Sequence, residues 1–501
     1  MTSASISLLN GRSATVRTGL FIDNEWVASS DNGTFPVLNP ATGEHLLDVS
    51  NATEADVDRA VEAARKAFNT TWGRNSVPGD RSALLNKLAD LMERDAQHLG
   101  ELESVDSGKG LRVARDFDIA DSVACLRYFA GWADKIQGTT IEVSSKTKMV
   151  YTLQDPIGVC GQIIPWNYPI MMWAWKVGPA LAAGCTIVMK PSELTPLTAL
   201  ALSDLIVEAG FPAGVVNTLP GLGSVTGAAI SSHMDIDKVA FTGSVVTGRR
   251  IMAAAAASNL KKVTLELGGK SPSIIFDSAD LEQAAAWSAL GIYYNSGQDC
   301  SAGSRLFVHE AVYDKFMPIL IRHAEACAIG DPWDEKTSFG PLISEAQRDK
   351  VLAYIESGVA EGAKVATGGK EWGNKGFFVE PTILTDCTPD MKCVREEIFG
   401  PVLVVSKFSS EEDVLRIAND SVYGLGAGVF TGDAKQSLRV CGELHAGSVW
   451  VNMYGVVCPS VPFGGYKQSG IGRELGSAGV SEYTITRSVH HNVAEEISWP
   501  L

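Results

Sequence analysis

Apolar residues recur every three to four positions across residues 57–68, behind Thr53-Glu54-Ala55-Asp56, which predicts an amphipathic helix with Thr53 as its N-cap. Two more helical patterns follow at 81–94 and 125–136, the second rich in aromatics (Tyr128, Phe129, Trp132). Before them, Phe21 to Trp26 reads as a strand and turn, and Asn39 to Gly43 as a loop. Residues 138–156 alternate β-branched with polar residues and predict a two-stranded ribbon leaving the main body. An isolated ribbon is marginal, so it docks on its own domain or on another subunit. The clearest alternation comes next. Strand patterns at 158–164, 185–189, 215–219 and 238–242 run into Pro165-Trp166-Asn167, Lys190-Pro191-Ser192-Glu193, Pro220-Gly221 and Gly243-Ser244, with helical stretches between. Thr195-Pro196 is placed to cap one of those helices, which stops at Gly210-Phe211-Pro212. After Leu267-Gly268-Gly269 the pattern repeats with a strand at 273–276, an Ala-rich helix at 281–290 and a strand at 306–308, and continues to about residue 479. The expected fold is therefore α/β, with two doubly wound, Rossmann-like domains and a small β element. The last stretch, 483–489, alternates like a strand and can pair with the ribbon.

A chain of 501 residues, 45% hydrophobic, is long enough for two or three domains with full cores. Its net charge of −16 and lack of a basic run argue against a nucleic-acid partner. Nine cysteines lie singly along the chain, which points to a reducing compartment, the cytoplasm, rather than a disulfide framework. No C-x-x-C or H-E-x-x-H occurs, so no metal site is expected, and no apolar run reaches the ~18 residues of a membrane span. Arg12, Arg17 and several serines give the first twenty residues a faint mitochondrial-leader flavour, but without an amphipathic face they read as a disordered cytosolic leader.

Ligands of doubly wound sheets bind at the carboxyl ends of the strands, where the polar residues above are placed. Between the Ala-rich helix and the following strand lies Asn295-Ser296-Gly297-Gln298-Asp299-Cys300-Ser301-Ala302-Gly303, a small-residue loop carrying one thiol. Covalent catalysis on a carbonyl requires such a thiol with a base and an oxyanion site; by itself, an inert loop cysteine accounts for it equally well. Glu266 stands among apolar residues at the domain junction, where desolvation lifts a carboxyl toward the range of a general base; a buried helix-capping acid is the alternative. Asn167 is placed to donate to an oxyanion together with the Cys300 N–H. The turn Thr242 to Gly248 suits a phosphate at a helix N-terminus, although an ordinary turn has the same composition. Glu193, beyond a strand end, suits two ribose hydroxyls and would repel a 2′-phosphate, favouring NAD over NADP; Lys190 is placed to tolerate that phosphate, and a solvated loop is the plain alternative. Glu397 to Pro401 and Pro462 to Gly465 are further loops of ligand-binding type.

Taken in order, Ile164-Pro165-Trp166-Asn167, Lys190-Pro191-Ser192-Glu193, Phe241-Thr242-Gly243-Ser244, Leu265-Glu266-Leu267-Gly268-Gly269-Lys270, Gly297-Gln298-Asp299-Cys300, Glu396-Glu397-Ile398-Phe399-Gly400-Pro401 and Pro462-Phe463-Gly464-Gly465 resemble the motifs of the NAD(P)-dependent aldehyde dehydrogenase superfamily. The resemblance spans nearly the whole chain and looks closest to the tetrameric class 1/class 2 group. It implies Cys300 as nucleophile, Glu266 as general base, Asn167 as oxyanion donor, and Lys176 and Glu474 as a proton relay behind the base. It implies cofactor contacts at Ile164, Pro165, Trp166, Lys190, Ser192, Glu193, Gly223, Phe241, Gly243, Ser244, Leu267, Gly268, Glu397 and Phe399. It also divides the chain into an NAD-binding domain (1–137 and 159–268), a catalytic domain (269–480) and an oligomerisation element (138–158 and 481–501) that makes a homotetramer or a dimer. The implied reaction oxidises an aldehyde to the acid through a thioester. A CoA-acylating reductase is the alternative within enzymes, though Glu266 would waste its thioester; a thiol hydrolase lacks a histidine motif near Cys300; and a non-catalytic protein on this fold should have lost Cys300 or Glu266. The tunnel positions would be Tyr168, Met171, Trp175, Tyr294, Val457 and Phe463, with Asp299 and Ser301 flanking the thiol. That set suits medium-sized aliphatic, aromatic or indolyl aldehydes, and Asp299 hints at an amino aldehyde.

Overall fold

The computed structural model describes residues 2–8, 11–144 and 146–496. Two mostly parallel sheets with helices on both faces form the body, and a three-stranded antiparallel sheet stands beside them. In the first sheet the strand order is Gly470–Ile471, Lys262–Glu266, Lys238–Thr242, Val159–Ile163, Thr186–Lys190, Val216–Thr218, Leu20–Ile22 and Glu25–Val27. The five central strands are parallel, and the chain reverses its direction of winding between Val159–Ile163 and Lys238–Thr242. A doubly wound sheet opens a crevice at such a switch point, so Ile164, Thr242 and Glu266 are carried to one rim. The second sheet runs Lys364–Thr367, Thr382–Thr385, Val402–Phe408, Arg305–His309, Pro272–Ile275, Gly426–Phe430 and Ser448–Val451, parallel except at its first pair.

Local signals translate directly in several places. Helix Glu54–Thr70 begins at Thr53, whose hydroxyl accepts from the Asp56 N–H while the Asp56 carboxylate accepts from the Thr53 N–H, a reciprocal cap. Leu20–Ile22 and Glu25–Val27 form a hairpin through Asp23 and Asn24, both at positive φ (54° and 63°). The ribbon appears as Thr140–Ser144 and Lys148–Pro156, and Thr484–Asn492 pairs with it from Pro156 to Lys148. The final residues, 497–501, and residue 145 lie outside the described residues.

Three expectations need correcting. The described part of the first twenty residues is ordered, contrary to the expected disordered leader: Ser3–Ser7 and Ser13–Arg17 pair as antiparallel strands. Its Ile6, Leu8 and Val16 are buried against Leu102, Val105, Leu197 and Leu200, and that burial holds a segment whose local composition looked unstructured. Thr195 does not cap the following helix. That helix, Leu197–Ala209, has no cap from its own flank, and the Leu197 N–H donates instead to Asp106 Oδ2 at 2.7 Å, from a distant helix. Finally, Gly470–Ile471, assigned to the 269–480 unit, pairs with Leu265 and Glu266 as an edge strand of the first sheet.

Candidate active site

The thiol loop is shaped by backbone geometry. After helix Leu281–Tyr293, residues Asn295, Ser296 and Gly297 all adopt positive φ (51°, 55° and 72°). For Ser296 this costs about 1–2 kcal/mol, whereas asparagine at 295 tolerates the conformation better. A side chain at Gly297 would come within 2.2 Å of the Gly400 carbonyl oxygen, and one at Gly269 within 2.4 Å of the Cys300 carbonyl oxygen. The glycines therefore let three loops press onto one another around Cys300. Buried Gln298 locks the turn: its Oε1 accepts from the Ile343 N–H at 2.9 Å.

Asn167, at the end of the switch-point strand, donates its side-chain amide to the Gln298 carbonyl at 2.9 Å. Its own carbonyl accepts from the Asn295 amide, also at 2.9 Å. One Asn167 N–H is thus committed to holding the amide against the thiol loop, leaving the second for a ligand oxygen. Among the described residues the Cys300 backbone N–H has no acceptor other than its own sulfur. Two donors consequently stand beside the half-buried thiol. Burial pushes that thiol well up, and Asp299, Glu397 and Glu266 push it further, so the resting form at neutral pH is the thiol and not the thiolate.

Glu266 ends its strand only 5% exposed, and neither carboxyl oxygen has a partner. Desolvation raises its pKa well above the ordinary value, and Glu474 adds to the rise while Lys176 and Arg473 oppose it. Behind it, fully buried Lys176 forms an ion pair with Glu474 and donates to Thr242 Oγ1 at 2.6 Å. Glu474 Oε2 is left without a partner, so a second free carboxyl oxygen faces the same interior. Gly464 makes room for the base, since a side chain there would lie 2.7 Å from Glu266 Oε1.

On the other side of the rim, Lys190 Nζ meets Glu193 Oε2 at 3.0 Å, and Glu193 Oε1 accepts from the Gly223 N–H at 3.4 Å. Burial raises the Glu193 carboxyl, but Lys190 and backbone donors outweigh it and hold the group below its usual value, as an anion. Ser192 is buried beside them. The lysine and the acid thus hold each other in place. Ser244 caps helix Val245–Ala257, accepting from the Thr247 N–H, while the Val245 and Val246 N–H groups have no acceptor among the described residues. Such free amides on a 13-residue helix fit a pyrophosphate. Gly243 lies against the Phe241 ring, and Gly248 brings the helix onto Leu267, where a side chain would approach to 2.8 Å. Glu397 Oε1 accepts from the Gly269 N–H at 2.9 Å, and a side chain at Gly268 would strike its Oε2; burial lifts this carboxyl to about 7. Phe399, at φ 59°, meets Trp166 edge-on at 5.2 Å between ring centroids, beyond Ile164 and Pro165. A lysine–carboxylate pair at one end, free helix amides in the middle and an edge-on aromatic pair at the other fit an adenosine, pyrophosphate and nicotinamide in that order.

Tyr168, Met171, Trp175, Tyr294, Val457 and Phe463 pack into one cluster that includes Cys300. Tyr168 stacks on Tyr294 (6.4 Å, 19°), and Trp175 meets Phe463 edge-on at 5.4 Å. Sequence reasoning missed the groups supporting these walls. Asp121, raised to about 6 by burial, accepts from Trp175 Nε1 at 3.3 Å. Lys109 lies over the Tyr168 ring, and Gln347 holds the 397–401 loop by donating to the Ile398 and Phe399 carbonyls at 3.3 and 2.7 Å. None of these stands in a motif with a chemical signature, so only the contacts reveal them.

The profile of the aldehyde dehydrogenase family matches residues 26–489. An aldehyde dehydrogenase of Emericella nidulans is 52% identical over 479 residues, covering 96% of each chain. An NAD+ complex of an aldehyde dehydrogenase from Bacillus cereus superposes with a TM-score of 0.94 at 51% identity, covering 95% of this chain and 96% of that one. An indole-3-acetaldehyde dehydrogenase from P. syringae reaches 0.94 at 40% identity, covering 95% and 97%.

Proposed function

Because this chain belongs to the aldehyde dehydrogenase family, we propose that Cys300 is the nucleophile of an NAD-dependent oxidation of an aldehyde to its carboxylic acid. The observation carrying this reading is the 2.9 Å hydrogen bond from Asn167, at the rim of one sheet, to Gln298 in the loop that carries the thiol before the other. It supports a reading in which the Asn167 amide, the thiol and the unpartnered buried carboxyl of Glu266 serve one crevice. In this mechanism Cys300 Sγ adds to the carbonyl carbon as the thiol proton passes to water, while the Asn167 amide and the Cys300 N–H steady the resulting oxyanion. The thiohemiacetal then loses hydride and becomes a thioester. A bound nicotinamide supplies the hydride acceptor. Glu266 takes a proton from water, which attacks the thioester and frees the acid, and Glu474 with Lys176 offers the route by which that proton leaves. The cofactor is held by Lys190, Ser192, Glu193 and Gly223 at the ribose, by Phe241, Gly243, Ser244 and Leu267 around the pyrophosphate, and by Gly268, Glu397, Phe399, Trp166, Ile164 and Pro165 at the nicotinamide end. In this scheme residues 269–480 supply the thiol together with Glu397 and Phe399, and 1–137 with 159–268 supply the rest of the nucleotide site.

For the substrate, the aromatic walls support an uncharged aryl, indolyl or medium-sized aliphatic aldehyde. Both Asp299 oxygens already accept from protein donors, which weakens the case for an amino aldehyde; Asp121 on the Trp175 wall is what favours that second reading. A panel of aryl, indolyl, aliphatic and amino aldehydes assayed with NAD and NADP tests both points. Aryl aldehydes are expected to exceed amino aldehydes by ~10-fold or more in kcat/KM, the scale of pocket discrimination. NAD should be preferred to NADP, and Glu193→Gln should narrow that preference by ~10-fold by removing a like-charge clash. An amino aldehyde at the head of the ranking, or an unmoved cofactor ratio, would sink the respective assignment.

We further propose that the three-stranded sheet joins copies of the chain into a homotetramer or a dimer. Met149, Leu153 and Ile485 leave it as exposed apolar side chains, which a second copy would cover. Met149→Asp with Leu153→Asp should yield a smaller species in light scattering; an unchanged mass would refute this role. The scattered cysteines support a reducing compartment, the cytoplasm. Among the described residues no helix is long and apolar enough to cross a membrane.

A further inference from the structure

Asp299 stands against the chemistry of its own neighbourhood. An anion adjacent to the nucleophile opposes the thiolate, as do the other carboxyl groups facing Cys300, Glu397 and Glu266, when ionised. Yet both oxygens of its carboxylate are engaged by the protein. Oδ1 accepts from the Ser301 N–H at 2.6 Å and from the Ser301 hydroxyl at 2.7 Å, and Oδ2 accepts from the Tyr168 hydroxyl at 2.8 Å. A cationic substrate would have to compete with these three donors for the carboxylate. Ser301 follows the thiol directly, and its carbonyl accepts from Tyr454 at 2.8 Å, so both sides of the turn are tied. Tyr168 reaches Asp299 from the other sheet, at the start of helix Pro169–Ala183. Its ring carries Lys109 Nζ at 4.0 Å from the centroid, and Lys109 forms a buried ion pair with Asp118. A cation over a phenol ring draws density from it and makes the hydroxyl a stronger donor.

We propose that Asp299 is a positioning residue for the Cys300 nucleophile: with Tyr168 and Ser301 it forms a clasp across the crevice that fixes the thiol-bearing turn. Lys109 and Asp118 hold the far end of that clasp. The proposal rests on Cys300 being the nucleophile. An aspartate is used despite its charge because two donors on Ser301 and one on Tyr168 converge on it, and a carboxylate accepts all three.

The test compares Asp299→Ala, Asp299→Asn and Tyr168→Phe by kcat and KM, and by the pH profile of Cys300 alkylation with iodoacetamide in the cofactor-free protein, read by peptide mass. Asp299→Ala should lose ~10²-fold in kcat with little change in aldehyde KM, the cost of a loosened nucleophile. Asp299→Asn still accepts from Ser301 and should recover most of that loss. Both should alkylate faster near neutrality, by ~10-fold if the thiol pKa falls by one unit, while Glu397 and Glu266 keep holding it up. Tyr168→Phe should lower kcat without lowering that pKa. The clasp is overturned if Asp299→Ala keeps its kcat, if it instead raises KM for cationic aldehydes alone, or if Asn is as damaging as Ala. Alkylation that leaves turnover intact overturns the nucleophile reading, and the proposal with it.

Discussion

Replacing Cys300 with serine is expected to lower kcat by ~10⁴-fold or more, because loss of a nucleophile abolishes a covalent route rather than slowing it. The structure explains why no neighbour can substitute. The other cysteines in the first core, Cys125, Cys160 and Cys185, are fully buried away from solvent, and among the described residues no histidine hydrogen-bonds to the thiol loop. Serine would inherit a site whose burial and three carboxylates already disfavour an anion at that position, with a hydroxyl far less acidic than a thiol. Acylation by the natural thiol should therefore quicken as pH rises toward its raised pKa. Rapid-mixing measurements of NADH formation with saturating aldehyde provide the readout. A serine enzyme turning over within tenfold of the natural one would rule out the covalent mechanism.

Glu266→Gln should separate the two halves of the reaction. Glutamine keeps the shape but cannot accept water's proton, so one equivalent of NADH per site should form and steady-state turnover fall by ~10²–10⁴-fold, the usual contribution of a general base. The acylated Cys300 peptide should then accumulate, visible as added mass. In the natural protein the protonated carboxyl is inactive, so deacylation should climb with pH through the raised Glu266 pKa. The same shift has a stability consequence. A carboxyl whose folded pKa is raised contributes stability that is complete below its unfolded pKa and is lost as pH rises through the folded one. Above that range Glu266→Gln should melt at an equal or higher temperature, because it relieves a buried anion with no hydrogen-bond partner. A variant that hydrolyses its acyl-enzyme at the natural rate would remove Glu266 from the role of base.

The local grammar of the chain carried much of this. Apolar periodicity and the Thr53 cap mark a helix because both depend on residues within one or two turns of each other. Strands ending in Asn167, Lys190, Ser244 and Glu266 announce a doubly wound sheet with a ligand rim, since alternation and turn chemistry are read a few residues at a time. The pairing of 484–492 with the ribbon was also legible, because alternation on both strands leaves each with an unpaired edge.

What the sequence determined by itself, then, is the set of reactive groups and the layers that present them: a thiol between glycines, a carboxyl at a strand end, an amide beyond another. Tertiary structure alone decided which of those groups are free and which are spent. Asp299 reads as available charge until Tyr168, 131 residues away, is found bonded to it. Asp106 carries no signal in its own segment until it caps Leu197, and Ile6 and Val16 belong to a leader until they reach Leu197 and Leu200. Glu266 is the reverse case, a carboxyl that packing leaves without any partner. The physical reason is common to all four. A hydrogen bond or a buried contact is worth its free energy only where the partner is brought within reach, and that proximity is fixed by the packing of distant elements, which no short window of sequence contains.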